Sequence, residues 1–419
     1  MALEKDLEKR LAAPQKARVE AIARVSRALG VPAYLVGGFV RDLLLGRETR
    51  DLDVVVEGDG IEFATRLAEA LGGRVRAHRA FLTAVVVDPQ GEDIDVATAR
   101  SELYRAPAAL PEVQAADLRQ DLLRRDFTVN TLAIRLGPEP GFELVDLLDG
   151  RRDLAAGTLR VLHDRSFVDD PTRLLRAVRL ELRLGFRISP ETLDLAAAAL
   201  EEKVFDHLSG SRLRTELALL LDDPVLALPG IERLAGLGVL RAVDPGLELN
   251  EATRRRLREV HAQERDRVEA TGWRLFLMAL AAGVADVDRE RLADRLLLAG
   301  EDRRLLLGFP ARLDAARAIL QSGPQPHQAT EALEPLAGEE LLLLMAEGDE
   351  AVRGWVRRYL AELRPLALSL RGADLLAAGV PAGARVGEAL RATRRARLDG
   401  RIDAAEELRY ALAFVEGDA

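Results

Sequence analysis

The sequence predicts an α+β fold, a small mixed β-sheet backed by helices followed by a long all-α remainder, and three observations predict it. Between Tyr34 and about residue 157, short apolar runs alternate with helical stretches. One pair of these runs, Leu82 to Val87 and Asp93 to Ala97, reverses at Asp88-Pro-Gln-Gly91, which makes the two strands antiparallel neighbours. From about 158 onward, leucine and alanine recur at helical spacing in segments punctuated by glycine and proline.

Taken in order, residues 1 to 29 read as an amphipathic helix, with Leu3, Leu7, Leu11, Ala21, Ile22, Val25 and Leu29 on one face. Tyr34 to Val36 reads as a buried strand, Gly37-Gly38 as a turn and Phe39 to Leu45 as a short helix. A second strand begins at Asp51 and runs into Val54 to Val56. Ile61 to Leu71 is a helix closed by Gly72-Gly73, and Arg74 to His78 opens the next strand. Residues 98 to 120, with Pro107, Pro111 and no strong periodicity, are expected to form a mobile loop. Leu122 to Ile134 has a helical pattern, and Phe142 to Val145 reads as a strand. Beyond 158, helices are expected to break at Gly185, Gly210, Pro224, Gly236, Pro245, Gly300, Pro310, Pro324 and Pro381.

Length and composition bound the function. A chain of 419 residues suggests roughly two to four domains. It has no cysteine, which excludes disulfides and thiolate zinc sites, and its five histidines are scattered. No apolar run is long enough to cross a membrane and the N-terminus carries no secretory pattern, so a cytoplasmic location is expected. The net charge of −9 speaks against a nucleic-acid partner only if the many arginines are evenly spread.

The chemistry concentrates in three stretches. In the first, Asp51 and Asp53 lie two apart on a strand and so present two carboxylates on one face. Hard divalent cations take such oxygen ligands and leave positions for water and phosphate. Gly37 and Gly38 let a backbone approach a phosphate closely, and the helix they open points free N–H groups at the same space. The second stretch is Asp121-Leu-Leu-Arg-Arg-Asp126-Phe-Thr-Val-Asn130, and the third is Val168-Asp-Asp-Pro-Thr-Arg-Leu-Leu-Arg-Ala-Val-Arg179. Taken alone, Asp126 and Asp170 also read as helix caps, and Asp95 as a hairpin-edge carboxylate.

The string GG-x-V-R-D-x-L-L-G followed by R-D-x-D resembles the opening motif of the class II tRNA nucleotidyltransferases, the CCA-adding enzymes and bacterial poly(A) polymerases of the polymerase β superfamily. R-R-D-F-T-V-N resembles the second motif of that family, and D-D-x-x-R its E-D-x-x-R motif, with Asp169 where glutamate is usual. Thr131 stands where the family usually has alanine. The resemblance implies a polymerase-β-like nucleotidyltransferase head, with Asp51 and Asp53 as metal ligands for Mg²⁺ and Asp95 as a third catalytic carboxylate. It implies a nucleotide site of Gly37, Gly38, Arg41, Arg125, Asp126 and Asn130, in which Asp126 reads the ribose hydroxyl. Asp170 and Arg173 would read the base, beside Arg176 and Arg179 on the same helix.

The base-reading role has a physical basis. Cytosine and adenine both offer an exocyclic amino donor beside a ring acceptor, the order that a carboxylate and a guanidinium complement. Guanine and uracil offer the reverse order and would leave buried polar groups unpaired. A further stretch, Ser209 to Leu217, resembles the fifth family motif; its Arg212 and Glu216 lie one turn apart and are expected to pair with each other.

The expected layout is a head over 30–157, a helical neck carrying the base template over 158–225, and an all-α body and tail over 226–419 that would hold tRNA. The implied activity is addition of C, C and A to the 3′ end of tRNA from CTP and ATP. Addition of the terminal A alone, poly(A) synthesis, or an inactive nucleotide- or tRNA-binding regulator are the alternatives.

Overall fold

A computed structural model of the chain describes residues 9–48, 51–137, 142–263 and 268–417. Leu3 and Leu7 of the first helical pattern, and Arg50 of the R-D-x-D motif, lie outside these residues. The chain divides into two compact units, Met1–Glu216 with Leu237–Ala242, and Leu217–Gly236 with Val243–Ala419.

The first unit is built on one seven-stranded mixed sheet. Its strands are β1 (Ala33–Val36), β2 (Leu52–Val56), β3 (Arg74–His78), β4 (Thr83–Val87), β5 (Asp93–Thr98), and, further along the chain, Ala133–Gly137 and Glu143–Val145. In spatial order they run β3, β4, β5, β2, β1, Ala133–Gly137, Glu143–Val145. Neighbours are antiparallel except β2 and β5, which run parallel with Asp53 beside Asp95. The valine run of β2 is buried because β2 lies in the middle of the sheet, under the Gly60–Leu71 helix, whose Phe63, Ala64 and Leu67 are fully buried. The helix approaches closely because Gly60 has no Cβ; one would stand 2.6 Å from the Thr98 backbone nitrogen. The first helix, Ala13–Leu29, starts with Pro14 and buries Val19, Ala21, Ile22 and Val25, the predicted face.

Several expectations need correction. Residues 98 to 120 are not a loop: Arg100–Leu103 pairs antiparallel with Glu112–Ala115 as a hairpin. The intervening turn is pinned rather than free. Ala108, at φ 57°, is buried, and its N–H donates to the Val168 carbonyl. Backbone pairing of this kind needs no alternating apolar pattern, so composition misses it. The predicted helix from Leu122 to Ile134 is a short helix, Leu118–Leu123, then a 3₁₀ turn, Thr128–Asn130, then a sheet strand from Ala133. Long-range pairing of Ala133 and Ile134 with β1 overrides the local pattern there. Past 158 the first unit is not purely helical, since Thr158–Leu159 and Arg187–Ile188 pair as a parallel two-residue ladder.

The second unit is helical. Every predicted glycine or proline there marks a break except Pro310, through which helix Gly300–Gln321 runs, and further breaks, such as those after His261, Ala281, Leu333, Leu363 and Leu398, were not expected. Leu305, Leu306, Phe309 and Leu313 are all buried there, and that packing outweighs the one missing backbone hydrogen bond. Among the described residues no helix is long and apolar enough to cross a membrane.

Candidate nucleotide site

A cavity of about 570 Å³ opens within the first unit, a volume in the range that holds small molecules. At one end stand Gly37, Gly38 and Asp53; at the other, Asp170, Thr172 and Arg173; the hairpin residues Glu102 and Tyr104 and the helical residues Arg212 and Glu216 close the sides. Gly37 has φ 71°, a conformation that side chains resist. A Cβ there would sit 2.9 Å from Arg125 Nη1 and 3.4 Å from Asp53 Oδ2, so the glycine keeps open the space between a guanidinium and a carboxylate.

The carboxylate end is electrostatically unfinished. Burial pushes Asp53 up to about 6; the Arg125 charge works against this, and the neighbouring Asp95 and Asp51 add to it. Asp95 is raised as well, by burial and then by Asp93 and Asp51. Among the described residues the Asp53 carboxylate has no hydrogen bond or ion pair. Nor do any three described carboxylate or histidine side chains converge closely enough to hold a metal by themselves. One or two carboxylates completed by water and phosphate is how Mg²⁺-type sites are ordinarily built, and a cation would relieve this repulsion. The residues therefore fit a divalent cation.

Asp126 sits on the wall, 6% exposed. Oδ1 accepts from the Phe127 N–H and from Asn130 Nδ2, at 2.9 and 2.7 Å. Oδ2 accepts from Arg176 Nε and Nη2, at 3.0 and 2.6 Å. Burial works to raise this carboxyl, but the Arg176 charge and these hydrogen bonds hold it below its ordinary value. No α-helix begins at Phe127, and the 3₁₀ turn Thr128–Asn130 has Phe127 as its N-cap with no side-chain cap, so Asp126 is not the helix cap that its position alone suggests. Asn130 in turn accepts from Arg41 Nη1 at 2.6 Å. Arg41 is 3% exposed, is bound also to Asp42, and stands behind the wall, outside the cavity lining.

At the far end, Asp170 Oδ1 accepts from the Thr172 N–H and hydroxyl, which starts the Thr172–Leu184 helix. Its third partner is Arg212 Nη2 at 2.7 Å. Arg212 does not pair with Glu216 as expected. It reaches Asp170 and, through Nη1, the Ala108 carbonyl, while Glu216 faces Arg176 and Arg179 at 3.6 and 3.5 Å. Packing of a second helix alongside offers these side chains stronger partners than each other. Arg173, 4% exposed, donates to Ser166 Oγ and to the Arg124 carbonyl. Arg125 Nε and Glu216 Oε2 are buried without a hydrogen bond, as befits a site that awaits a polar ligand.

Of the residues singled out in the sequence, Gly37, Gly38, Asp53, Arg125, Asp126, Asn130, Asp170, Arg173 and Arg176 line this one cavity. Asp51 and Asp95 lie beside Asp53 rather than in the lining, and Arg179 stands behind Glu216. Sequence reasoning missed Glu102 and Tyr104, because the hairpin was taken for a loop, and Arg212 and Glu216, because helical spacing offered them a simpler partner.

Residues 33–160 match the family described as "Poly A polymerase head domain". A CC-adding tRNA nucleotidyltransferase of Deinococcus radiodurans is 36% identical over 90% of this chain and 88% of its own length. The chain belongs to the class II tRNA nucleotidyltransferase family. Members of this family generally use divalent metal ions. An A-adding tRNA nucleotidyltransferase of Geobacter sulfurreducens is 38% identical over 98% of this chain, which spans 48% of that relative. The chain covers about half the length of the A-adding relatives it matches. Two solved tRNA nucleotidyltransferase structures align over 98% of both chains. They are an apo CCA-adding enzyme (31% identity, TM-score 0.83) and the Thermotoga maritima CCA-adding enzyme with tRNA (30%, TM-score 0.79).

Proposed function

We propose that the chain adds C, C and A to the 3′ end of tRNA from CTP and ATP, with Mg²⁺, in the cytoplasm. The observation that carries this reading is the single cavity in which an anion-accepting end, Gly37 and Arg125 beside Asp53, faces a base-reading end, Asp170 and Arg173. In the reaction the tRNA 3′-oxygen bonds to the α-phosphorus of the nucleotide and the bond to pyrophosphate breaks. Mg²⁺ held by Asp51 and Asp53, with Asp95 beside them, would stabilise charge on the attacking and leaving oxygens when bound. Arg125 donates charge-assisted hydrogen bonds to the triphosphate, and Gly37 and Gly38 admit it close to the backbone.

Asp126 reads the ribose hydroxyl. Its four acceptor positions are all taken, so Arg176 yields one bond when a ribonucleotide binds. A guanidinium has five N–H donors, and Arg173 has committed two of them to Ser166 and Arg124, which leaves donors for a ring nitrogen. The head over 30–157, the neck over 158–225 and the body and tail over 226–419 divide these tasks, with the last holding tRNA.

Addition of A alone is the second reading, favoured by the 38% identity to an A-adding relative across nearly this whole chain. Three tRNA substrates, ending at the discriminator base, at C and at CC, separate the two when each is given CTP, ATP or both. C addition to the shortest substrate and A addition to the CC end support the first reading. A addition to the CC end with no use of CTP establishes the second.

A further inference from the structure

Asp121 opens the stretch that carries the second motif, three residues before it, and has no part in the reaction described above. It is completely buried, yet it is a carboxylate surrounded by arginines. Oδ1 accepts from Arg124 Nε and Nη2 at 2.9 and 2.8 Å and from the Arg100 N–H at 3.3 Å. Oδ2 accepts from Arg125 Nη2 at 3.0 Å. The other terminal nitrogen of Arg125, Nη1, borders the space in front of Gly37, and Asp53 Oδ2 borders the same space. Arg125 is the strongest opposite charge acting on Asp53, yet the two form no ion pair. A guanidinium and a carboxylate this near each other would normally close into a bidentate pair. One arm of Arg125 is held back.

We propose that Asp121 is a positioning residue that tethers Arg125 away from Asp53, so that the Asp53 carboxylate stays open to a divalent cation. The inference rests on the reading that Asp51 and Asp53 hold that cation. The tether works because Asp121 competes for the same guanidinium from a dry site, where a charge-assisted hydrogen bond is strongest. Asparagine at 121 has the same shape but turns an N–H toward one of the two arginine partners. Arg125 then turns to Asp53 across the space in front of Gly37 and competes with the cation there.

The test is Mn²⁺ binding to nucleotide-free protein, followed by the electron paramagnetic resonance signal of the free ion, with circular dichroism as the folding control. Asp121→Asn is expected to weaken Mn²⁺ binding about tenfold, the scale of one competing ion pair. Arg125→Met is expected to bind Mn²⁺ at least as tightly as the wild type, and the double variant should match Arg125→Met. Recovery in the double variant is what a merely structural role for Asp121 cannot produce. It also answers the question if Asp121→Asn alone does not fold, because the double variant buries no unpaired guanidinium at 125. Wild-type affinity in a folded Asp121→Asn, or a double variant weaker than Arg125→Met, overturns the tether. Mn²⁺ binding that Asp53→Asn leaves untouched overturns the cation site itself, and the tether with it.

Discussion

At the scale of single residues, the carboxylate end of the cavity trades stability for chemistry. Asp53 has a folded-state value of about 6 against an ordinary 3.8, so folding favours its neutral form. Its contribution is favourable below the unfolded value and is lost as pH rises through about 6, which leaves a penalty of roughly 2–3 kcal/mol at neutral pH. Asp53→Asn is therefore expected to melt several degrees higher than wild type in metal-free buffer at pH 7.5 while losing nearly all turnover. The gap should shrink by pH 5. A variant that melts lower at pH 7.5 would show that Asp53 is a structural partner rather than a strained ligand.

Asp126 behaves in the opposite way. Its value is depressed, so its contribution is present above the unfolded value and is lost as pH falls through the folded one. Arg176→Met removes its charged partner at a cost of roughly 3 kcal/mol at pH 7, the low end for a buried pair because Arg176 is itself 38% exposed. Chemical denaturation of the two proteins should give that difference at pH 7 and a progressively smaller one as pH falls below the ordinary carboxylate value towards the depressed one. Gly37→Ala tests the phosphate end: an alanine at φ 71° and ψ −139°, a region left almost to glycine, costs on the order of 1–3 kcal/mol, and its methyl displaces Arg125. The KM for CTP and ATP is expected to rise at least tenfold, far more than that stability loss explains. An unchanged KM would remove Arg125 and Gly37 from nucleotide binding.

At the scale of elements, the Arg100–Leu103 and Glu112–Ala115 hairpin matters most. It is clamped at two places. Glu102 accepts from Arg100 and Arg124 and from the Tyr104 hydroxyl, and the buried Ala108 is bonded on one side to Val168 and on the other to Arg212. Arg212 is also the ion partner of Asp170, so one side chain links the hairpin tip to the carboxylate proposed to read the base. On the proposed reading a site that takes C and then A changes shape between the two, and Arg212 ties the hairpin to the Asp170 end of that site. Replacing residues 104–111 with Asn-Gly keeps both strands paired in a tight turn while removing the tip. A addition to tRNA ending in CC is expected to fall at least tenfold relative to C addition. Equal loss of both would make the tip a general scaffold.

For the whole molecule, a net charge of −9 must be reconciled with the proposed RNA partner. Many arginines are committed to carboxylates, among them Arg18 with Asp88, Arg291 with Asp244 and Arg394 with Glu334, so their abundance alone is no footprint of nucleic acid. Binding to tRNA still has to release counterions from each phosphate that a free cation meets. The KM for tRNA is expected to rise steeply with NaCl between 50 and 200 mM, an interval over which several phosphate contacts cost orders of magnitude, while the KM for CTP changes less. A salt-independent KM for tRNA would mean that recognition runs through shape and stacking.

What the sequence determined by itself was local: where β1 and β2 run, that Asp51 and Asp53 stand two apart at the start of β2, and that Gly37, Asp126 and Asp170 belong to recognisable strings. These are legible because strand alternation, glycine turns and helix starts are written within a few neighbouring residues. Only the tertiary structure decided which partners each polar group takes. Asp95 comes to Asp53 through a parallel pairing across 41 intervening positions of chain, and Ala133 leaves its helical pattern to pair with Val36. Arg212 prefers Asp170 to Glu216, and Asp121 holds Arg125 from a dry interior. Spacing along a chain cannot reveal such choices, because a buried charge selects the strongest partner that packing brings within reach, whatever the distance in sequence.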